Sequence, residues 1–172
     1  MKAFSNPAFM LANARLEVRL AYTGFLALTL IGMATMGTFQ LVHVGPTPSD
    51  IAIYIRGGER AGAMVFPKPF RELVELTHAH AFVMGGLYLI LAHLIIATTA
   101  PPAVKRWSVI GGFAGLVGDV AGVWLIRYVS PLFAWTQLGA WAAEWASFAV
   151  FVYYPLRDMW FFSDAGDDDD DA

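Results

Sequence analysis

The stretch LTHAHAFVMGGLYLILAHLIIAT, residues 76–98, decides the fold of this chain. It contains no Asp, Glu, Lys or Arg. It is also long enough to cross a bilayer as one helix, which takes about 20 mostly apolar residues. Three further segments of similar length and character lie at residues 20–44, 107–128 and 135–156. We therefore predict an all-α protein, an integral membrane four-helix bundle that crosses the lipid bilayer four times.

The composition of the chain agrees with a membrane environment. Of its 172 residues, 58% are hydrophobic and 15% are charged, whereas a soluble domain carries about a quarter charged residues. The net charge of −3 depends on an acidic run at residues 167–171, so it gives no reason to expect nucleic acid as a partner. The absence of cysteine excludes disulfides, thiolate metal sites and covalently attached c-type haem.

The segments outside the bundle predict the organisation of the chain. An interfacial N-terminal segment is expected at residues 1–19, before the transmembrane domain at residues 20–156, and an acidic cytoplasmic tail at residues 157–172. The long connection at residues 45–75 is predicted to be a periplasmic loop. It would serve either as a surface lid or as a docking site for an external partner.

Charge placement predicts the orientation of the helices. The connection between the second and third segments carries Lys105 and Arg106 and no acid, whereas the loop at residues 45–75 mixes both signs. Cytoplasmic connections are enriched in Lys and Arg, so both termini are predicted to be cytoplasmic, in a bacterial inner membrane. The expected surroundings are membrane lipid, other membrane subunits or a periplasmic cytochrome, and a homo-oligomer is an alternative.

All four histidines fall in or beside the predicted membrane helices. His43, His78 and His80 lie near the outer helix ends, and His93 lies deep in the second helix. Imidazole binds both metal ions and haem iron. The matched depth of the outer three predicts either a haem b, with Arg127 pairing with a propionate, or a copper ion held by His43, His78 and His80. Alternatively, these histidines make structural contacts, which is the interpretation favoured for His93.

Helical geometry restricts which histidines can act together. His78 and His80 differ by about 200° around a regular helix, so they cannot both bind the same iron. His93 is separated from them by the 13 to 15 residues that are typical of membrane b-type cytochromes with two stacked haems. A second haem would need a further ligand, such as Met33, Met36 or a residue of a neighbouring subunit. Methionines also make copper conceivable, because thioethers are soft ligands; the candidates are Met33, Met36, Met64 and Met84.

The third and fourth segments add carboxyl groups and closely spaced glycines. Asp119 and Glu144 are predicted to form either a proton relay or polar contacts that join the two helices. The pairs Gly111/Gly115 and Gly118/Gly122 are each four residues apart, a spacing that lets two helices approach closely. The alternative is a flat groove that admits a porphyrin or quinone ring.

The motif THAHAFVMGGLY at residues 77–88, followed by Gly118-Asp119, RYVSP at residues 127–131 and Trp135, resembles a family of small four-helix bacterial membrane proteins. The resemblance covers the second to fourth helices. Members of that family tend to accompany respiratory or c-type cytochrome genes. The resemblance therefore implies a redox setting, without assigning a reaction.

Three functions follow from these observations as hypotheses. The first is a b-type haem-binding membrane subunit that transfers electrons between the quinone pool and an external redox partner. The second is a non-catalytic structural or anchoring subunit of a larger membrane complex. The third is a copper-binding membrane protein. An enzyme acting alone is not expected, because the sequence has no catalytic triad, zinc-protease motif or phosphate-binding loop, so no catalytic residue is predicted.

Overall fold

The computed structural model describes residues 9–162, so residues 1–8 of the predicted interfacial segment and the acidic run lie outside the described residues. The described chain is mostly helical. A hairpin of two short antiparallel strands follows the second helix. The elements are α1 (Leu16–Phe39), α2 (Pro48–Arg56), β1 (Gly58–Arg60), β2 (Ala63–Val65), α3 (Phe70–Ala79), α4 (Gly85–Ile96), α5 (Pro102–Tyr128) and α6 (Ala134–Trp160).

Two π-helical turns extend and join these helices. One, Gln40–Val44, continues α1, and the other, His80–Met84, joins α3 to α4. Each takes an extra residue per turn, so the side chains beyond it are rotated relative to a regular α-helix. Turns of this kind occur frequently at functional sites.

Three helical segments among residues 9–162 are long and apolar enough to cross a membrane: Leu16–Val44, Phe70–Ile96 and Pro102–Tyr128. The second begins at Phe70 and not at the predicted Leu76. The helix α6 is as long as α5 but is not one of these three segments, because tryptophan, tyrosine and polar side chains occupy many of its positions. It also continues through Pro155 to Trp160, beyond the predicted end at residue 156.

Closely packed glycines join α5 to α6. A Cβ atom added at Gly115 would lie 2.7 Å from Cγ of Glu144, and one at Gly118 would lie 3.0 Å from Cβ of Ala140. The core beside this contact contains the fully buried Tyr88 and Phe151. By contrast, Leu26 and Met33 are the buried residues of α1, so α1 is the least enclosed of the long helices.

The connection between residues 45 and 69 is an ordered cap and not a simple loop. A capping box starts α2, in which Thr47 and Asp50 bond each other's backbone amides and Pro48 occupies the first turn. The buried side chains of Ile51 and Ile55 then pack in a second core with residues of α5. We call this side of the helices the loop end.

The opposite end of the helices, which we call the terminal end, holds both described ends of the chain. The amide of Leu11 donates to the carbonyl of Ala97 over 2.9 Å, and Trp160 donates from Nε1 to the Thr23 hydroxyl over 2.9 Å. Residues 11 and 12 of the predicted interfacial segment are therefore buried.

Candidate functional site

A cavity of about 370 Å³ lies between α1 and the rest of the helices. One wall is the π-helical turn that starts at His80, and the opposite wall is α1, up to the π-helical turn that starts at Gln40. Its floor is formed by α5 and α6. The lining is mostly apolar and includes the thioether side chains Met33, Met36 and Met84 together with Val83, Leu87 and Trp145. The polar lining residues are Thr29, Gln40, His80, Asp119 and Glu144.

The imidazole of His80 is held in one orientation. Its Nδ1 lies 3.0 Å from the carbonyl oxygen of Leu76, and because a carbonyl can only accept, Nδ1 must carry the hydrogen. Nε2 then faces Asp119, whose Oδ2 is 3.8 Å away. That separation is too long for a direct hydrogen bond, so Nε2 stays available to a ligand, and a proton could pass between it and the carboxyl group only through a bridging group.

The carboxyl group of Asp119 is fixed by two donors on α6. Its Oδ1 accepts hydrogen bonds from Nε1 of Trp141, over 2.7 Å, and from Nε2 of Gln137. Only Oδ2 is therefore directed toward His80. Asp119 is 7% exposed, and its Oδ2 and Nε2 of His80 both face the same cavity.

Glu144 brings a second carboxyl group to the same cavity. It is also 7% exposed, and its Oε1 has no hydrogen-bond partner among residues 9–162. A buried polar atom without a partner costs about 1–3 kcal/mol, so this oxygen calls for an explanation. A ligand in the cavity that donates to or accepts from Glu144 would provide one.

The other histidines do not line this cavity. His43 is exposed and stacks against Phe39, with ring centroids 5.1 Å apart. His78 is exposed and stacks against Phe82, with centroids 5.0 Å apart. His93 is exposed, and its Nδ1 bonds the Leu89 carbonyl of its own helix. His80 is thus the member of the predicted histidine group that meets other polar side chains.

Arg127 lies at the loop end, where its Nε donates to the carbonyl of Lys68 over 3.1 Å. Its guanidinium also lies over the Tyr128 ring. This arrangement ties α5 to the segment before α3. None of the described residues that line the cavity is a Lys or an Arg, so Arg127 is not brought together with His80.

The predicted metal ligands His43, His78 and His80 do not come together. Within residues 9–162, no group of three or more His, Asp or Glu side chains is arranged to hold a metal ion. The cavity does bring His80 together with three thioethers, Met33, Met36 and Met84. Soft ligands of this kind favour Cu(I).

Glu144 was predicted from the sequence, but Gln137 and Trp141 of α6, which bond Asp119, and Gln40 of the turn after α1 were missed. Gln137, Trp141 and Glu144 recur at i, i+4 and i+7, so they lie on one face of α6, and this polar stripe was readable in the sequence. Gln40 was also readable, because it follows Met33 and Met36 at the spacing of one helical face.

No curated protein and no solved structure matches this chain. A family of transmembrane helical domains, Aq_1264_TM, matches residues 45–166. The matched part includes His80, Asp119 and Glu144 and excludes α1 with its lining residues. Since the match covers more than half of the sequence, the chain belongs to the Aq_1264_TM family of transmembrane helical domains.

Proposed function

We propose that this protein is a membrane redox subunit that binds a quinone headgroup in the cavity and exchanges protons with it. The observation that carries the proposal is the convergence of three proton-bearing groups on one mostly apolar cavity. They are His80, Asp119 and Glu144. Two of them form a pair held by fixed hydrogen bonds, and the third has an unpartnered oxygen among the described residues.

The chemistry of a quinone suits such a cavity. Its reduction to a hydroquinone takes up two electrons and two protons, one on each carbonyl oxygen. The apolar walls limit the access of water, so the protons have to come from side chains. His80, with a second proton on Nε2 and Asp119 as its counter-charge, would donate to one carbonyl oxygen, and Glu144 in its acid form would donate to the other. A neutral quinone also needs no Lys or Arg, and an isoprenoid tail could leave between α1 and the other helices.

The electrons would come from a partner, because His80, Asp119 and Glu144 would contribute only binding and proton transfer. We propose that α6 crosses the membrane as well, giving a four-helix bundle with both termini in the cytoplasm of a bacterium. The loop end would then face the periplasm, where a cytochrome could dock. The length of α6 and its glycine-mediated packing against α5 support this arrangement.

Quinone binding can be tested by tryptophan fluorescence, because Trp145 lines the cavity. The full-length protein in detergent is titrated with a short-chain ubiquinone, and quenching is followed. We expect saturable quenching that is about tenfold weaker in affinity for His80→Phe, since one hydrogen bond is lost. The matched control is His93→Phe, which changes an exposed histidine of the same helical segment. Equal affinities of the two variants would refute the proposed site.

A second candidate is a haem or copper subunit, as the sequence alone suggested. The observation that favours it is the shared cavity of His80 with Met33 and Met36, because a histidine whose Nδ1 bonds a carbonyl is oriented as ligating histidines are. A visible spectrum before and after dithionite tests for haem b, and elemental analysis tests for copper. Sharp reduced bands that disappear in His80→Ala would support haem over a quinone alone.

A further inference from the structure

Two adjoining cavities lie at the terminal end, outside the site just described. Phe161 lines both of them. The first is about 320 Å³ in volume and is mainly polar, and it includes Asn13 and Arg19 in its walls. The second is an apolar groove of about 740 Å³ between α1 and α6. A polar cavity beside a long apolar groove matches the shape of a lipid, whose headgroup would occupy the cavity and whose acyl chain would occupy the groove.

The polar cavity has a cation fixed in its wall. Arg19 is half-buried, and its Nε and Nη2 donate to the carbonyls of Ala14 and Ala12 over 2.7 and 2.8 Å. Carbonyls hold the guanidinium in place without neutralising its positive charge. Arginine at a membrane surface attracts anionic headgroups, and its planar donors match phosphate oxygens.

The apolar groove runs from this end along the face of α6 that points toward α1. Its walls include Leu30 of α1 and Phe148, Ala149, Val152 and Tyr153 of α6. Arg157 lies at the edge of the groove, but its charge is matched by Asp158, whose Oδ1 is 2.6 Å from Nη2. The charge available to a ligand is therefore that of Arg19.

The acidic run at residues 167–171 follows the terminal end in the sequence and lies outside the described residues, but within residues 9–162 positive charge predominates at the terminal end. Its basic residues are Arg15, Arg19, Lys105, Arg106 and Arg157. Among residues 9–162, the acids at this end are Glu17 and Asp158, and the second of these is bonded to Arg157. A zwitterionic lipid would gain less binding energy from these positive charges than an anionic lipid.

We propose that one anionic phospholipid binds here, with its phosphate at Arg19 and an acyl chain in the groove between α1 and α6. The lipid would fill the space that α1 leaves open and join it to the remaining helices. Such a lipid is a structural ligand, and Trp145 lines both its groove and the cavity at His80.

Native mass spectrometry of the full-length protein in detergent tests the proposal. The probes are phosphatidylglycerol and phosphatidylcholine with the same acyl chains. We expect one phosphatidylglycerol to bind in preference to phosphatidylcholine. Ala149→Phe fills the groove and should abolish this preference, whereas Ala146→Phe, an exposed position of α6 outside both cavities, should leave it unchanged.

The headgroup contact has its own matched pair of variants. Arg19→Gln should weaken phosphatidylglycerol binding about fivefold, the factor that one arginine supplies near an anionic lipid surface. Arg106→Gln removes the same charge from an exposed residue at the same end and should have no effect. Equal losses in both arginine variants, unchanged binding in Ala149→Phe, or displacement of the lipid by inorganic phosphate would each overturn the proposal.

Discussion

Glu144 offers a direct test of whether the cavity is built for a ligand. Replacing it with Met keeps the aliphatic part of the side chain, including the Cγ that packs against Gly115, and removes the carboxyl group. If the buried Oε1 has no partner in the free protein, its removal should stabilise the fold by about 1–3 kcal/mol. The same variant should lose quinone binding, because the group proposed to face the second carbonyl is gone.

The assay combines stability and binding on the same samples. Thermal unfolding of Glu144→Met in detergent should show a higher Tm, by about 2–4 °C for each kcal/mol in a chain of this size, and quinone quenching should be weaker. Glu144→Gln is the control, since it keeps a polar oxygen at the same place and should not raise the Tm. A lower Tm for Glu144→Met would refute the reasoning and would assign Glu144 to polar contacts between α5 and α6.

Three further predictions concern the fold around the site. Gly115→Ala should destabilise the protein by about 1–3 kcal/mol in thermal unfolding, because a Cβ there would come within 3.0 Å of a backbone oxygen of α6, whereas Gly139→Ala meets nothing within 4 Å and should not. Asp158→Ala should cost about 3 kcal/mol or more, since this fully buried carboxylate bonds Arg157, which would be left unpaired; an unchanged Tm would contradict this. The hydrogen bond from the Thr47 side chain lowers the pKa of Asp50 below its ordinary 3.8. The start of α2 should therefore keep its protection from hydrogen exchange above pH 3.8 and lose it as the pH falls through the lowered pKa. Asp50→Asn should remove this pH dependence.

The long helices and their main contact were predictable because lipid imposes strict requirements. A segment such as residues 76–98 has no alternative to a helix once it is in a bilayer. The spacing of Gly111, Gly115, Gly118 and Gly122 likewise indicated where α5 and another helix would approach. Both inferences depend on features that are local in the sequence and that tertiary structure rarely reverses.

The ordered cap at the loop end was harder to predict, although the sequence contains the pattern that starts its helix. The sequence TPSD at residues 47–50 has a capping residue, a proline in the first helical turn and an acid three residues after the cap. The length of the connection suggested a loop and drew attention away from this short pattern.

The candidate site was predictable only in part, because depth along a helix says nothing about rotation. His43, His78 and His80 were predicted to lie near the outer ends of two helices, but a common site also requires that they face one another. The angular argument that separates His78 from His80 agrees with the structure, in which one is exposed and the other lines the cavity. The π-helical turns then alter the rotation further, and nothing in a regular helical projection anticipates them.

The polar groups of the cavity belong mainly to helices other than α1, which explains why α1 can be so loosely enclosed. The proton-bearing groups His80, Asp119 and Glu144 all belong to the part of the chain that the family match covers, whereas α1 supplies mostly thioethers and small residues to the opposite wall. A wall that makes mainly apolar contacts can separate from the others at a low energetic cost, because lipid replaces those contacts. A quinone entering from the membrane would have to displace part of a wall, and displacing α1 would leave the hydrogen bonds of Asp119 intact, because they join α5 to α6. Fixing α1 to α6 should therefore slow quinone exchange more than it changes quinone affinity.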